Sequence, residues 1–114
     1  MEEAAFPKYA VELTASARLA FFELVEYLYA NMSEERADIV SKELLAKTWS
    51  LEYLHERGSP EPQLRENGRG YRYILYERTA RAQIKIIYYA DQVKKIVYVT
   101  DFFPTEKNTA AIKS

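Results

Sequence analysis

Gly70-Tyr71-Arg72-Tyr73-Ile74-Leu75-Tyr76 opens the C-terminal half of the chain, and its reading decides the fold. A glycine precedes alternating residues rich in tyrosine and isoleucine, which suit a half-buried strand over 71–78. Two more strand-like runs follow, 83–90 and 95–103, with short connections. Consecutive antiparallel pairing into a three-stranded meander is the simplest arrangement of the three. Alternation places Tyr73 and Leu75 on one face and Arg72, Ile74, Tyr76 and Arg78 on the other. Arginine does not readily enter a core, so the second set is expected to face outward. Lys85 joins that open face if Ile84 and Ile86 point inward.

Working outward, residues 8–13 alternate, with Tyr9, Val11 and Leu13 on one side, and read as an N-terminal strand. Thr14 or Ser16 can cap a following helix whose Ala17, Phe21, Leu24, Val25 and Leu28 recur at helical spacing. Asn31-Met32-Ser33 breaks that pattern. Ser33 then caps a second helix, with Glu34 and Glu35 in its first turn, where the helix dipole favours negative charge. Val40, Leu44, Leu51 and Leu54 form its buried stripe, and Gly58 ends it. The short connection predicts an antiparallel helical hairpin. Residues 57–70 carry two prolines, three glycines and three arginines without periodicity, and read as a long loop. The sequence therefore predicts one α+β domain over 1–114: an N-terminal strand, two helices, then the meander, with the helices on one face of the sheet. Flexible termini are expected at about 1–7 and 105–114.

The chain has 114 residues, no cysteine and a net charge of -1. Disulfides and thiolate chemistry are excluded. No run approaches the roughly 18 apolar residues of a membrane helix, so a soluble, cytoplasmic protein is expected, with no membrane partner. The charge is divided: residues 1–56 hold five basic against eleven acidic side chains, and residues 57–95 hold nine against four. A basic C-terminal half can take an anionic partner. Six of the ten tyrosines lie in the last three strands, where basic residues among aromatics could hold an RNA backbone and stack its bases. His55 is the one histidine, and a cation at the end of the second helix suits the dipole there. No metal-ligand spacing, phosphate-cradling glycine loop or nucleophile elbow is present. Chemistry here would have to be metal-free, and RNA cleavage fits, because the 2′-hydroxyl is a built-in nucleophile.

These motifs, in this order, resemble the RelE/ParE superfamily of bacterial type II toxin–antitoxin toxins over roughly residues 9–108. The resemblance rests on Tyr9-Ala10-Val11-Glu12-Leu13-Thr14, the paired helices, and the loop Pro60-Glu61-Pro62-Gln63-Leu64-Arg65. It rests also on Gly70-Tyr71-Arg72 with Tyr76, and on Ile96-Val97-Tyr98-Val99-Thr100-Asp101. It implies a toxin held inactive by a cognate antitoxin. Its first implication is a RelE-like, metal-independent and ribosome-dependent mRNA endonuclease that inhibits translation and needs no cofactor; the alternatives are a ParE-like member that poisons DNA gyrase by binding it, or a degenerate member that only binds a partner. In the nuclease case the resemblance places Arg72 at the scissile phosphate and Arg65 beside it. Arg69, Tyr76, Arg78, Lys85 and Lys107 would then bind the RNA strand. RelE-like nucleases also carry an arginine after the last strand and a C-terminal tyrosine; residues 102–109 hold neither, and Lys107 is the cation available in their place.

Overall fold

The computed structural model describes residues 8–53, 55–79, 82–106 and 111–113. The order along the chain is β1 (Ala10–Leu13), α1 (Ala15–Asn31), α2 (Glu34–Trp49), β2 (Ser59–Pro60), β3 (Arg72–Thr79), β4 (Ala82–Asp91) and β5 (Ile96–Pro104). The strands form one sheet in the order β1-β5-β4-β3-β2. The meander β3-β4-β5 is antiparallel, as expected. Two features depart from the sequence reading. β1 lies parallel to β5, with Ala10 opposite Ile96 and Leu13 opposite Val99. Ser59–Pro60, inside the expected loop, pairs antiparallel with β3 as a fifth strand. The sheet is therefore mixed, and five-stranded rather than four-stranded. Pro60 has no N–H to give a ladder, which an edge strand tolerates.

Thr14 caps α1 by accepting the Ala17 N–H at 3.2 Å, while Ser16 donates to the Thr100 carbonyl at 3.0 Å and ties the helix to β5. Ser33 caps α2, accepting the Arg36 N–H at 3.1 Å. Met32 and Ser33 turn the chain back, and the Tyr29 hydroxyl bonds Asp38 across the hairpin. α2 stops at Trp49, well before Gly58. Leu51 still reaches the core, but from a 3-10 turn, Ser50–Glu52. Past the helix, the Glu52 carbonyl accepts the Tyr9 N–H ahead of β1, at 2.9 Å. Leu54 lies outside the described residues.

The helices cover one face of the sheet. Ala17, Leu24 and Leu28 of α1 and Ala37, Val40 and Leu44 of α2 pack on Ile74, Tyr76, Ile84, Ile86, Val97, Val99 and Phe102. Burial of each large side chain contributes about 1.5–3 kcal/mol. The core set inverts the expected facing of β3: Ile74 and Tyr76, each 8% exposed, point toward the helices. Tyr73 lies on the opposite, open face beside Tyr71, Ile87, Phe103 and Tyr89, under Leu64 and Ile112. Arg72 and Arg78 share the helix side with Ile74 and Tyr76 but sit at the two ends of the strand, where a guanidinium can escape the core. A register shift in the β4–β5 ladder sets Ile87 opposite Asp101 and Tyr88 opposite Val99. There Asp101 accepts the Lys113 N–H at 2.9 Å, and the Thr100 hydroxyl donates to the Lys113 carbonyl at 3.3 Å. Within the tail expected to be flexible, Lys113 thus hydrogen-bonds to the sheet; residues 1–7, 107–110 and 114 lie outside the described residues.

Candidate functional site

Arg72 begins β3 and lies opposite Tyr88 of β4 and Pro60 of β2. Its Nη1 donates to the Gly58 carbonyl at 2.7 Å. The Tyr88 hydroxyl accepts the Gly58 N–H at 3.2 Å and donates to the His55 carbonyl. Both backbone groups of Gly58 are therefore held by the side chains of one cross-strand pair. No larger residue fits: a Cβ here would run into the Tyr88 hydroxyl and come within 2.8 Å of the Tyr73 carbonyl oxygen. Burial pushes the Tyr88 phenol up, opposed by the Gly58 hydrogen bond and by the charges of Arg72 and Arg57.

His55 lies in the 3-10 turn His55–Arg57 rather than at a helix end. Its ring packs on Tyr9 with centroids 4.2 Å apart, and the residue is 8% exposed. Burial lowers its pKa from the ordinary value; the Glu56 carboxylate opposes the shift and the Arg72 guanidinium adds to it. The expected role as a dipole-stabilising cation is thereby overturned. Burial and the Arg72 guanidinium thus both disfavour the charged imidazole.

The other expected site residues are divided between the two faces. Tyr76 donates its hydroxyl to Glu43 of α2 at 2.7 Å, and its pKa is pushed up to about 12 by burial first and by Glu43 second. It is a core residue, not part of an open stacking surface. Arg78 lines a groove with Ala20, Leu24 and Tyr27 of α1. Arg65 is exposed on the 3-10 segment Pro62–Asn67, whose Leu64 packs over the open face. Lys85 does reach the open face, because Ile84 and Ile86 point inward. There it pairs with the buried Glu61 carboxylate at 2.9 Å and sits 4.3 Å from the Tyr73 ring centroid. Arg69 is exposed and donates to the Tyr89 hydroxyl at 2.8 Å. Lys107 lies outside the described residues. The outward set Arg72, Tyr76 and Arg78 is thus on the helix side, apart from Lys85 and Arg69.

Sequence reasoning missed Glu61, Tyr88 and the His55–Arg72 neighbourhood. Pro60-Glu61-Pro62 was the available signal for the first, since flanking prolines fix the backbone that turns the carboxylate inward. A second surface also stands out. Leu19 and Phe22, at i and i+3 on the outer side of α1, are 52% and 65% exposed. Tyr29, Ile39 and Trp49 are exposed on the same hairpin. Among the described residues no cluster of His, Cys, Asp or Glu could hold a metal ion, and no helix is long and apolar enough to cross a membrane.

No protein-family model matches the chain, and no curated protein matches it by sequence. Among solved structures, a chain of the chromosomal ParDE toxin–antitoxin system from P. aeruginosa superposes with a TM-score of 0.66 at 12% identity. The match covers 85% of this chain and 96% of that one, so the two share one fold almost end to end.

Proposed function

We propose that this chain is the toxin half of a toxin–antitoxin pair and acts by binding a protein target, with DNA gyrase the target implied by the ParE-like branch of the resemblance. The fold likeness to the ParDE chain supports the toxin–antitoxin part. The observation that carries the mode of action is the outer face of the hairpin. Leu19 and Phe22 stand at i and i+3 on the outer side of α1, with Ile39 and Trp49 exposed on α2, and exposed apolar residues at that helical spacing are the anchors by which a helix face docks on a protein partner. Aromatic anchors such as Phe22 and Trp49 typically dominate such interfaces. The cognate antitoxin is the second partner and keeps the toxin silent.

A second reading, a metal-independent ribosome-dependent mRNA endonuclease, is favoured by one observation: a half-buried Arg72 guanidinium whose charge adds to the lowering of the His55 pKa. In that mechanism His55 takes the 2′-hydroxyl proton as the 2′-oxygen bonds to phosphorus, Arg72 stabilises the charge on the phosphorane, and the imidazolium returns the proton to the 5′-oxygen as the P–O5′ bond breaks, leaving a 2′,3′-cyclic phosphate. Arg65, Arg69, Arg78, Lys85 and Lys107 would hold the strand. Losing such a charge-stabilising donor typically costs about 3 kcal/mol of barrier. The division of these residues between two faces, and the Arg72 bond to a backbone carbonyl, rank this reading second.

Induction of the chain in a bacterial host without antitoxin tests both. The binding reading expects Phe22→Asp to relieve growth arrest and Arg72→Ala to retain it, with purified protein inhibiting gyrase supercoiling. Arrest that survives Phe22→Asp but vanishes in a folded Arg72→Ala, with mRNA cut at discrete sites, would replace it with the nuclease.

A further inference from the structure

The outer sides of the two helices repeat one pattern. Leu19, Phe22, Glu26 and Tyr29 are exposed on α1, and Ile39, Lys42, Ala46 and Trp49 are exposed on α2. Both sets follow the same 3-4-3 spacing, that of a helical seam that meets other helices. Each stripe lies about half a turn from its helix's buried residues, so both point away from the sheet. The hydrogen bond from the Tyr29 hydroxyl to Asp38 fixes the relative height of the two helices. Counting along them from that bond, at about 1.5 Å per residue, brings Tyr29 level with Ile39 and Glu26 with Lys42. The same count brings Phe22 level with Ala46 and Leu19 with Trp49. One rung of this face holds opposite charges, one sets a large ring beside a methyl group, and the other two are apolar on both sides.

We infer that this face pairs with a second copy of the chain. A twofold axis parallel to the helices lays α1 of one copy antiparallel on α2 of the other, at the same height. Glu26 then meets the partner's Lys42, and Lys42 meets the partner's Glu26. Phe22 lies on the partner's Ala46, Leu19 on the partner's Trp49 and Tyr29 on the partner's Ile39. Charge opposes charge twice and the largest ring opposes the smallest side chain, in a four-helix layer held between two sheets. The other axis, across the helices, lays α1 on α1 and sets Glu26 against Phe22 and Lys42 against Ala46, which strands both charges on apolar neighbours. An unrelated amphipathic helix could cover either stripe. It would not require the two stripes to share one spacing and to complement each other in charge and size, and self-pairing does. The inference uses the face given above to the protein target but does not rest on that target being gyrase; pairing and docking exclude one another.

The test is sedimentation velocity of the purified chain from micromolar to near-millimolar protein. A reversible shift toward twice the 13.3 kDa chain mass is expected. Glu26→Lys sets lysine against lysine at two contacts of the dimer, and Lys42→Glu sets glutamate against glutamate at the same two. Each change should weaken self-association by about tenfold or more. Circular dichroism should stay the same, because both positions are exposed. Mixed in equal amounts, the two variants should associate with each other about as tightly as the parent does with itself, since every charged contact between them again joins opposite signs. An ion pair repaired within one chain could not give that result. A chain that stays monomeric throughout the range overturns the proposal and leaves the face to a different partner. A dimer indifferent to either change, or a mixture of the two variants that stays monomeric, overturns it as well. Gyrase inhibition is scored separately: a monomer that inhibits gyrase refutes the pairing alone, and a dimer whose dissociated chain leaves gyrase untouched refutes the docking reading alone.

Discussion

Replacing Lys85 by methionine should be among the most damaging single changes on the open face, although it removes only a charge from a side chain of similar length. Lys85 Nζ lies 2.9 Å from Glu61 Oε1, and the two side chains are 14% and 0% exposed. The second carboxylate oxygen accepts the Gln63 N–H at 3.0 Å, so Glu61 also caps the 3-10 segment Pro62–Asn67. Removing the ammonium leaves a fully buried carboxylate with one backbone donor, and breaking a buried pair in this way costs about 3–5 kcal/mol. A domain of this size has roughly 5–15 kcal/mol in total. With a urea slope of about 1.5 kcal/mol per molar, the Lys85→Met midpoint should fall by about 2 M or more. Glu61→Met should cost less, because a lysine 14% exposed can carry its ammonium to water. In Glu61→Met/Lys85→Met both charges are gone, and only the cap of about 1 kcal/mol and some packing are lost. The double variant should therefore be more stable than Lys85→Met, with a coupling energy of about 2 kcal/mol. Urea unfolding of all four proteins, followed by circular dichroism, measures this. A Lys85→Met cost below about 1 kcal/mol, or additive single changes, would refute the argument that the pair is desolvated and mutually dependent.

Three further outcomes follow from the helix-side geometry. His55 titrates below its ordinary value of 6.5 when folded, so the unfolded chain binds the proton more readily. Stability should be complete above about pH 6.5 and decline as pH falls below it, with a flatter profile in His55→Phe; the single imidazole resonance by NMR reports the shift directly. Tyr76 and Tyr88 both have raised phenol pKa values, Tyr76 at about 12, so a spectrophotometric alkaline titration should show phenols ionising late. Stability tied to these phenols is present below pH 10 and lost above it, and Tyr76→Phe should remove one late phenol at a cost of about 1 kcal/mol. Gly58→Ala must move either the Tyr88 hydroxyl or the β3 backbone, and should lower stability by about 1–3 kcal/mol, read as a lower unfolding temperature.

Element type was legible wherever a local rule had no rival. Thr14 and Ser33 cap the helices, and the three C-terminal strands begin and end within a residue or so of their periodic runs. Contacts between distant segments were not legible: no local pattern says that β1 joins β5 in parallel, or that two residues around Pro60 pair with β3. The misassigned face of β3 is the most instructive error. Alternation correctly grouped Arg72, Ile74, Tyr76 and Arg78, but the side was chosen by counting charges. Position along the strand decides instead. Arg72 and Arg78 occupy the ends, where one guanidinium reaches the Gly58 carbonyl and the other borders a groove, while Ile74 and Tyr76 fill the middle under the helices. Tyr76 can be buried because Glu43 of α2 receives its hydroxyl. Lys85, expected on the open face, is held there by the carboxylate of Glu61, 24 positions earlier, in a loop whose sequence shows no period. A basic, tyrosine-rich half can therefore hold two chemically different surfaces, and only the pairing of strands decides which arginine belongs to which. That division makes Arg72 and the open-face tyrosines separately testable: a defect confined to one face by substitution there cannot be ascribed to the other.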